Sequence, residues 1–65
     1  MEDWQTRVVE ERDALCAKVT RLASFISSSP VFRSSHDEDR RLLRAQRMAM
    51  MDYLDILEDR IRRWG

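Results

Sequence analysis

Eleven arginines, one lysine, two tryptophans and one tyrosine are the side chains here that can hold an anionic aromatic ligand, and several fall on a regular spacing. Leu43, Met50, Leu57 and Trp64 recur every seven residues. Gln46, Tyr53 and Arg60 keep the same period, three residues after each of the first three, and are expected beside them on one helical face. A helix that needs only a packing partner fills such slots with Leu or Ile. An amide, a phenol and a guanidinium in a seam cost desolvation unless something hydrogen-bonds to them. Another chain, a water network or a ligand would each supply that partner.

The same residue types suit a nucleotide. Trp4 and Tyr53 offer flat faces for a purine, and Arg7, Arg12 and Arg60 could meet phosphates in a crevice between subunits. Each has a plainer role: Trp4 as an interface plug, Tyr53 as a donor to Gln46 or a carbonyl, Arg12 and Arg60 as partners of Glu11 or Asp59 in a neighbouring chain. The preference for arginine over Lys18 suits bidentate phosphate contacts, and GC-rich coding would also produce it. Catalysis has little support. No Cys-His pair with a third member, no paired carboxylates in an apolar setting and no glycine-rich phosphate loop are present in the sequence. Asp52, Asp55, Glu58 and Asp59 read as a solvated face with i,i+4 arginine partners. Met48, Met50 and Met51 suit an adaptable core or surface.

A chain of 65 residues makes one domain, 1–65, with a small core, and chains of this size lean on disulfides, metal or oligomerisation. Cys16 is the only cysteine, so no bridge within the chain is possible, and His36 with Cys16 has no metal-ligand spacing. No metal and no cofactor are expected. Oligomerisation remains. Twelve basic and twelve acidic side chains give a net charge of zero, which argues against duplex nucleic acid as a partner. No apolar run approaches the roughly 18–20 residues of a membrane span, and Met1-Glu2-Asp3-Trp4 lacks the features of a signal peptide. The expectation is a cytosolic protein with a free thiol.

These residues must be positioned by helices, because glycine and proline occur once each, as Gly65 and Pro30. Trp4, Val8, Leu15, Val19, Leu22 and Ile26 carry helical periodicity, with Arg12 intruding between Val8 and Leu15. A first helix is predicted over about 3–27 and a connector over about 28–35, where three serines and Pro30 end the helix. Val31 and Phe32 are expected to tuck back over the end of the pair. A second helix is predicted over about 36–63, opened by a capping box of Ser35 and Glu38. Its first turn is acidic (Asp37, Glu38, Asp39) and its last basic (Arg60, Arg62, Arg63), as the helix dipole favours. The fold class is all-α: an antiparallel two-helix hairpin. Leu42, Ala45, Ala49 and Ile56 widen the apolar arc beyond what one partner covers, so the hairpin is expected to assemble into a homo-oligomeric helical bundle.

The pattern Trp4-Gln5-x-Arg7-Val8-x-x-Glu11, then Leu15, Lys18, Leu22, Phe25-Ile26, Phe32, Leu42-Leu43, Gln46, Met50, Tyr53, Ile56-Leu57 and Arg60-Ile61 resembles a group of tiny bacteriophage proteins. It is similar to the helical hairpin domain shared by phage anti-CBASS and Thoeris anti-defence sponge proteins. The resemblance implies a homo-oligomer in the host bacterial cytoplasm. It would sequester a cyclic nucleotide second messenger (a cyclic di- or trinucleotide, or a cyclised ADP-ribose) at subunit interfaces, without cleaving it. It implies ligand-binding roles for Arg7, Gln46, Tyr53 and Arg60, and for Trp4 and Lys18. The competing expectation is a structural or protein-interaction bundle without a small-molecule ligand, in which the polar seam residues satisfy one another.

Overall fold

The computed structural model describes residues 1–64 and is helical almost throughout. Helix α1 spans Asp3–Ser28, a single-turn helix α2 spans Pro30–Arg33, and α3 spans Asp37–Arg62. α1 and α3 pack against each other as a hairpin with extents of 46 × 15 × 14 Å. Antiparallel pairing brings the two chain ends together: the rings of Trp4 and Trp64 meet edge to face at 5.1 Å between centroids.

Helix ends follow local hydrogen bonding. The Glu2 N–H donates to Gln5 Oε1 at 2.8 Å and opens α1. At the other end the hydroxyls of Ser27 and Ser28 turn back to the Ser24 carbonyl, so the serines prolong α1 to Ser28 before Pro30 forces Ser29 into an extended backbone. Ser29 then caps α2, its Oγ accepting from the Val31 N–H with Pro30 in the first turn. The connector thus holds a helical turn. Only one of its two apolar residues tucks in: Phe32 is buried, whereas Val31 is 65% exposed. Phe32 sits against Phe25, ring centroids 5.9 Å apart, with the Arg44 guanidinium over its face at 5.2 Å.

The expected capping box at Ser35 is replaced. Ser35 Oγ donates to the Val31 carbonyl at 2.7 Å, closing the turn after α2, and His36 is the N-cap of α3, its Nδ1 accepting from the Glu38 N–H at 3.2 Å. Ser35 is spent on the connector, and the cap passes to the next residue. The acidic first turn is real, and two of its members are paired one turn on, Asp37 with Arg40 and Glu38 with Arg41. The ion pairs along α3, including Asp59 with Arg62, use i,i+3 rather than the expected i,i+4 spacing.

The core is small. Val8, Leu15, Phe32 and Leu57 are the buried side chains among the described residues, and Leu57 alone is completely enclosed. Val19, Met50, Leu54, Ile61 and Trp64, partly covered, pack against the cluster of Val8, Leu15 and Leu57. The expected apolar line of α1 is in place, with Val8 and Leu15 buried and Val19, Leu22 and Ile26 half-buried.

Candidate functional site

Three lines of residues run along α3, and their order around the helix decides what each can do. The first packs on α1. It contains the heptad line of Leu43, Met50, Leu57 and Trp64, joined by residues four positions on: Arg47, Leu54 and Ile61, all half-buried. The sequence reading placed Gln46, Tyr53 and Arg60 in these slots, and the structure corrects it. Positions three and four residues after each seam residue flank it on opposite sides. The side bearing Leu54 and Ile61 gives more apolar area to bury, so α1 lies there.

Gln46, Tyr53 and Arg60 consequently form a second line, exposed and just outside the hairpin seam. Beyond it lies a third line, Leu42, Ala49 and Ile56, again on a seven-residue spacing, with Ala45 alongside. This outer line is solvent-facing, with Leu42 50% and Ile56 56% exposed. The polar line therefore runs between two apolar ones. One is covered by α1, and the other is bare.

The flank of the hairpin on which the polar line opens follows from the opposite groove. Arg12, Asp13, Cys16, Ala17 and Thr20 of α1 line an open groove together with Glu58 of α3. On α1, Arg7, Glu11, Ala14 and Lys18 lie on the far side of Val8 and Leu15 from that groove. On α3, Gln46, Tyr53 and Arg60 lie on the far side of the Met50–Leu57 line from Glu58. Five of the six residues singled out from sequence, Arg7, Lys18, Gln46, Tyr53 and Arg60, thus share one flank. Counting inward from the Trp4–Trp64 contact, Arg7 comes level with Arg60 near the open end, and Tyr53 level with Ala14. Trp4 stands at the edge of this flank, engaged by Trp64 and still half exposed.

None of these side chains has a strong partner of its own. Gln46 Nε2 reaches only the Met50 sulfur, at 3.9 Å. Among the described residues, Arg7, Lys18, Tyr53 and Arg60 make no side-chain hydrogen bond or ion pair. The nearby carboxylates are engaged elsewhere, Asp59 by Arg62 and Asp13 by Arg12 at 2.6 Å. Arg12, the other cation suggested for phosphate contact, faces the opposite groove and is held by Asp13. Two arginines, a phenol and an amide on one flank, held by no stronger contact than that to the Met50 sulfur, can together meet a planar ring and an anionic group.

Two features escaped the sequence reading. Arg47 sits in the packed seam with its Nε buried and unpartnered, a cation where a heptad line calls for an apolar residue. It was legible from the four-residue step between Leu43 and Arg47. The second is charge order along α3. Residues 40–51 carry four arginines and no acid, and residues 52–59 carry Asp52, Asp55, Glu58 and Asp59 and no base. A net charge of zero hides this division. No group of three or more His, Cys, Asp or Glu that could hold a metal is found among the described residues, and Cys16 is a free, exposed thiol. No helix there is long and apolar enough to cross a membrane.

The Sequestin family model matches residues 2–63. The chain belongs to the Sequestin family. The name is that of a sequestering protein, one that binds and holds a ligand, and it specifies no ligand. The match covers both long helices and the connector, so the whole hairpin is the family's unit. No curated protein and no solved structure shows significant similarity to the chain.

Proposed function

We propose that this Sequestin-family chain is a phage anti-defence sponge that assembles into a homo-oligomer and sequesters cyclic nucleotide immune messengers at its subunit interfaces. The ligand class is a cyclic di- or trinucleotide or a cyclised ADP-ribose. The observation that carries the reading is the unpartnered polar line of Gln46, Tyr53 and Arg60 beside an exposed apolar line. A second copy seated on Leu42, Ala49 and Ile56 roofs those polar groups and turns an open flank into a crevice. Once roofed, each group needs a hydrogen-bond partner, and a nucleotide supplies several at once.

The roles follow from the chemistry of each side chain. Tyr53 stacks on a base and donates from its hydroxyl. Arg60, with Arg7 beside it, meets phosphate oxygens in bidentate fashion. Gln46 reads a base edge through its amide, Lys18 adds a point charge, and Trp4 borders the crevice at the open end. The chain carries no nucleophile–base pair on this flank, so the ligand is held and released unchanged.

Native mass spectrometry of the full chain with a panel of cyclic nucleotides and cyclic ADP-ribose isomers tests this. The expected result is a discrete oligomer that gains integral copies of one messenger, recovered intact. Arg60→Ala removes a charged hydrogen bond worth about 1.5–3 kcal/mol and weakens that complex roughly 10- to 150-fold. Tyr53→Phe weakens it less while leaving the oligomer in place. A discrete oligomer that stays bare across the whole panel overturns the sponge reading and leaves an interaction bundle.

A further inference from the structure

We infer that a second copy docks on the outer face of α3 in antiparallel fashion, with Ala49 opposite Ala49 of the second copy, and that the rim residues Arg41 and Asp59 set this direction. The inference deepens the oligomer part of the proposed function and rests on it.

The outer line places Leu42, Ala49 and Ile56 seven residues apart, so Ala49 is its midpoint. Antiparallel packing about that midpoint lays Leu42 of one copy on Ile56 of the other, which buries the two large exposed side chains of the line against each other. Ala49, with Ala45 one turn before it, is small and lets the backbones approach where the helices cross. Of the charged residues on α3, Arg41, Asp52 and Asp59 border this face, whereas Arg40 is paired with Asp37, Arg44 lies over Phe32, Arg47 packs in the α1 seam and Glu58 lines the opposite groove. In a two-fold parallel pair the same edge of α3 falls on opposite sides of the contact, so the rim charges of the two copies do not meet; in an antiparallel pair they do.

One pair sits on the rim of this face. Arg41 and Asp59 project from the same edge of α3, their side chains 64% and 68% exposed, and each forms only an exposed pair one turn away, with Glu38 and Arg62. In the antiparallel arrangement Arg41 of each copy comes beside Asp59 of the other, so the contact occurs twice per dimer.

Two sets of variants test direction and register. In a Cys16→Ser background, Ala49→Cys is expected to form a disulfide-linked dimer on mild oxidation. Leu42→Cys and Ile56→Cys alone are expected to stay uncrosslinked, and a mixture of the two to crosslink heterotypically. Self-crosslinking at all three positions indicates parallel packing and overturns the inference. Arg41→Glu and Asp59→Arg are each expected to weaken association roughly tenfold in sedimentation experiments at low salt, and the double variant to recover most of that loss. A double variant no better than the two singles combined overturns the charge pairing, and singles without effect do the same. A wild-type chain that is monomeric at every concentration removes the oligomer itself. Circular dichroism of each variant separates loss of association from loss of the helical fold.

Discussion

Two adjacent residues, Ile56 and Leu57, belong to different faces of α3, and truncating each to alanine separates folding from assembly. Leu57 is 0% exposed and clusters with Val8 and Leu15 in the core between the two long helices. Leu57→Ala therefore costs about 2–5 kcal/mol through lost burial and the cavity left behind. A chain of 65 residues has in total roughly 3–10 kcal/mol, at about 0.05–0.15 kcal/mol per residue. The substitution removes a large share of the stability of the hairpin itself. Ile56 is 56% exposed, and within one chain its truncation costs little, since alanine is also the better helix former. On assembly its remaining exposed surface is covered. Full burial of such a side chain is worth about 1.5–3 kcal/mol, so this half contributes about 1–1.5 kcal/mol per copy. A two-fold dimer counts it twice, about 2–3 kcal/mol, or a roughly 30- to 150-fold weaker dissociation constant. Sedimentation equilibrium reads the second effect, and circular dichroism melts at two concentrations a hundredfold apart read both. Wild type melts lower on dilution. Leu57→Ala melts lower at each concentration, whereas Ile56→Ala loses the concentration dependence. An Ile56→Ala chain whose association constant is unchanged refutes the reasoning, as does one destabilised as much as Leu57→Ala.

Phe32 anchors the connector at 3% exposure, so Phe32→Ala is expected to cost about 3–5 kcal/mol and to speed amide exchange first in Pro30–Arg33 and the adjoining turns. The Arg41 guanidinium holds the Glu38 carboxyl below its ordinary value of 4.5. A depressed carboxyl adds stability above its unfolded value and loses it as pH falls through the folded one, so the contribution disappears in the acid range below about 4.5. A carboxyl-carbon NMR titration is expected to show Glu38 returning to its ordinary value in Arg41→Ala, and an unchanged titration rules out the pairing.

The helices were legible because the chain is nearly free of breakers and its apolar residues keep a helical period. The α1 line from Val8 to Ile26, the break at Pro30 and the acidic first turn of α3 all follow from that. The seam side was not. A seven-residue period identifies Leu43, Met50 and Leu57 but does not say whether the partner covers the neighbours three or four residues on. That choice depends on the sum of apolar area at Leu54 and Ile61 against Tyr53 and Arg60. Ser35 illustrates a second limit. Its spacing to Glu38 fits a capping box, but the Val31 carbonyl competes for the same hydroxyl once α2 forms, and α2 was not foreseen. Of the candidate site, the residue types and their common period were legible. That Arg7 and Lys18 share a flank with them required the handedness of the hairpin. Charge order along α3 was legible and was masked by counting charges over the whole chain.

Placing the polar line outside the seam changes its energetics. In a packed seam Gln46, Tyr53 and Arg60 would each carry a desolvation cost in the monomer, of the order of 1–3 kcal/mol where unpaired. Exposed, they are hydrated and cost nothing until a second copy covers them. Covering them is then a choice between three states: polar groups paired across the interface, trapped water, or a ligand. Antiparallel docking about Ala49 brings Gln46 of one copy near the level of Tyr53 of the other, so a cross-interface amide–phenol bond is geometrically open. Arg60 comes level with Glu38 and Asp39 of the second copy, so an ion pair across the interface is open to it as well. A guanidinium left without an anion in a closing crevice is the costliest of the three groups, and an anionic ligand removes that cost. A sponge and a merely structural bundle are therefore separated by Asp39→Asn beside Arg60→Ala: in the bundle both weaken association, and in the sponge Arg60→Ala releases the messenger while Asp39→Asn keeps it.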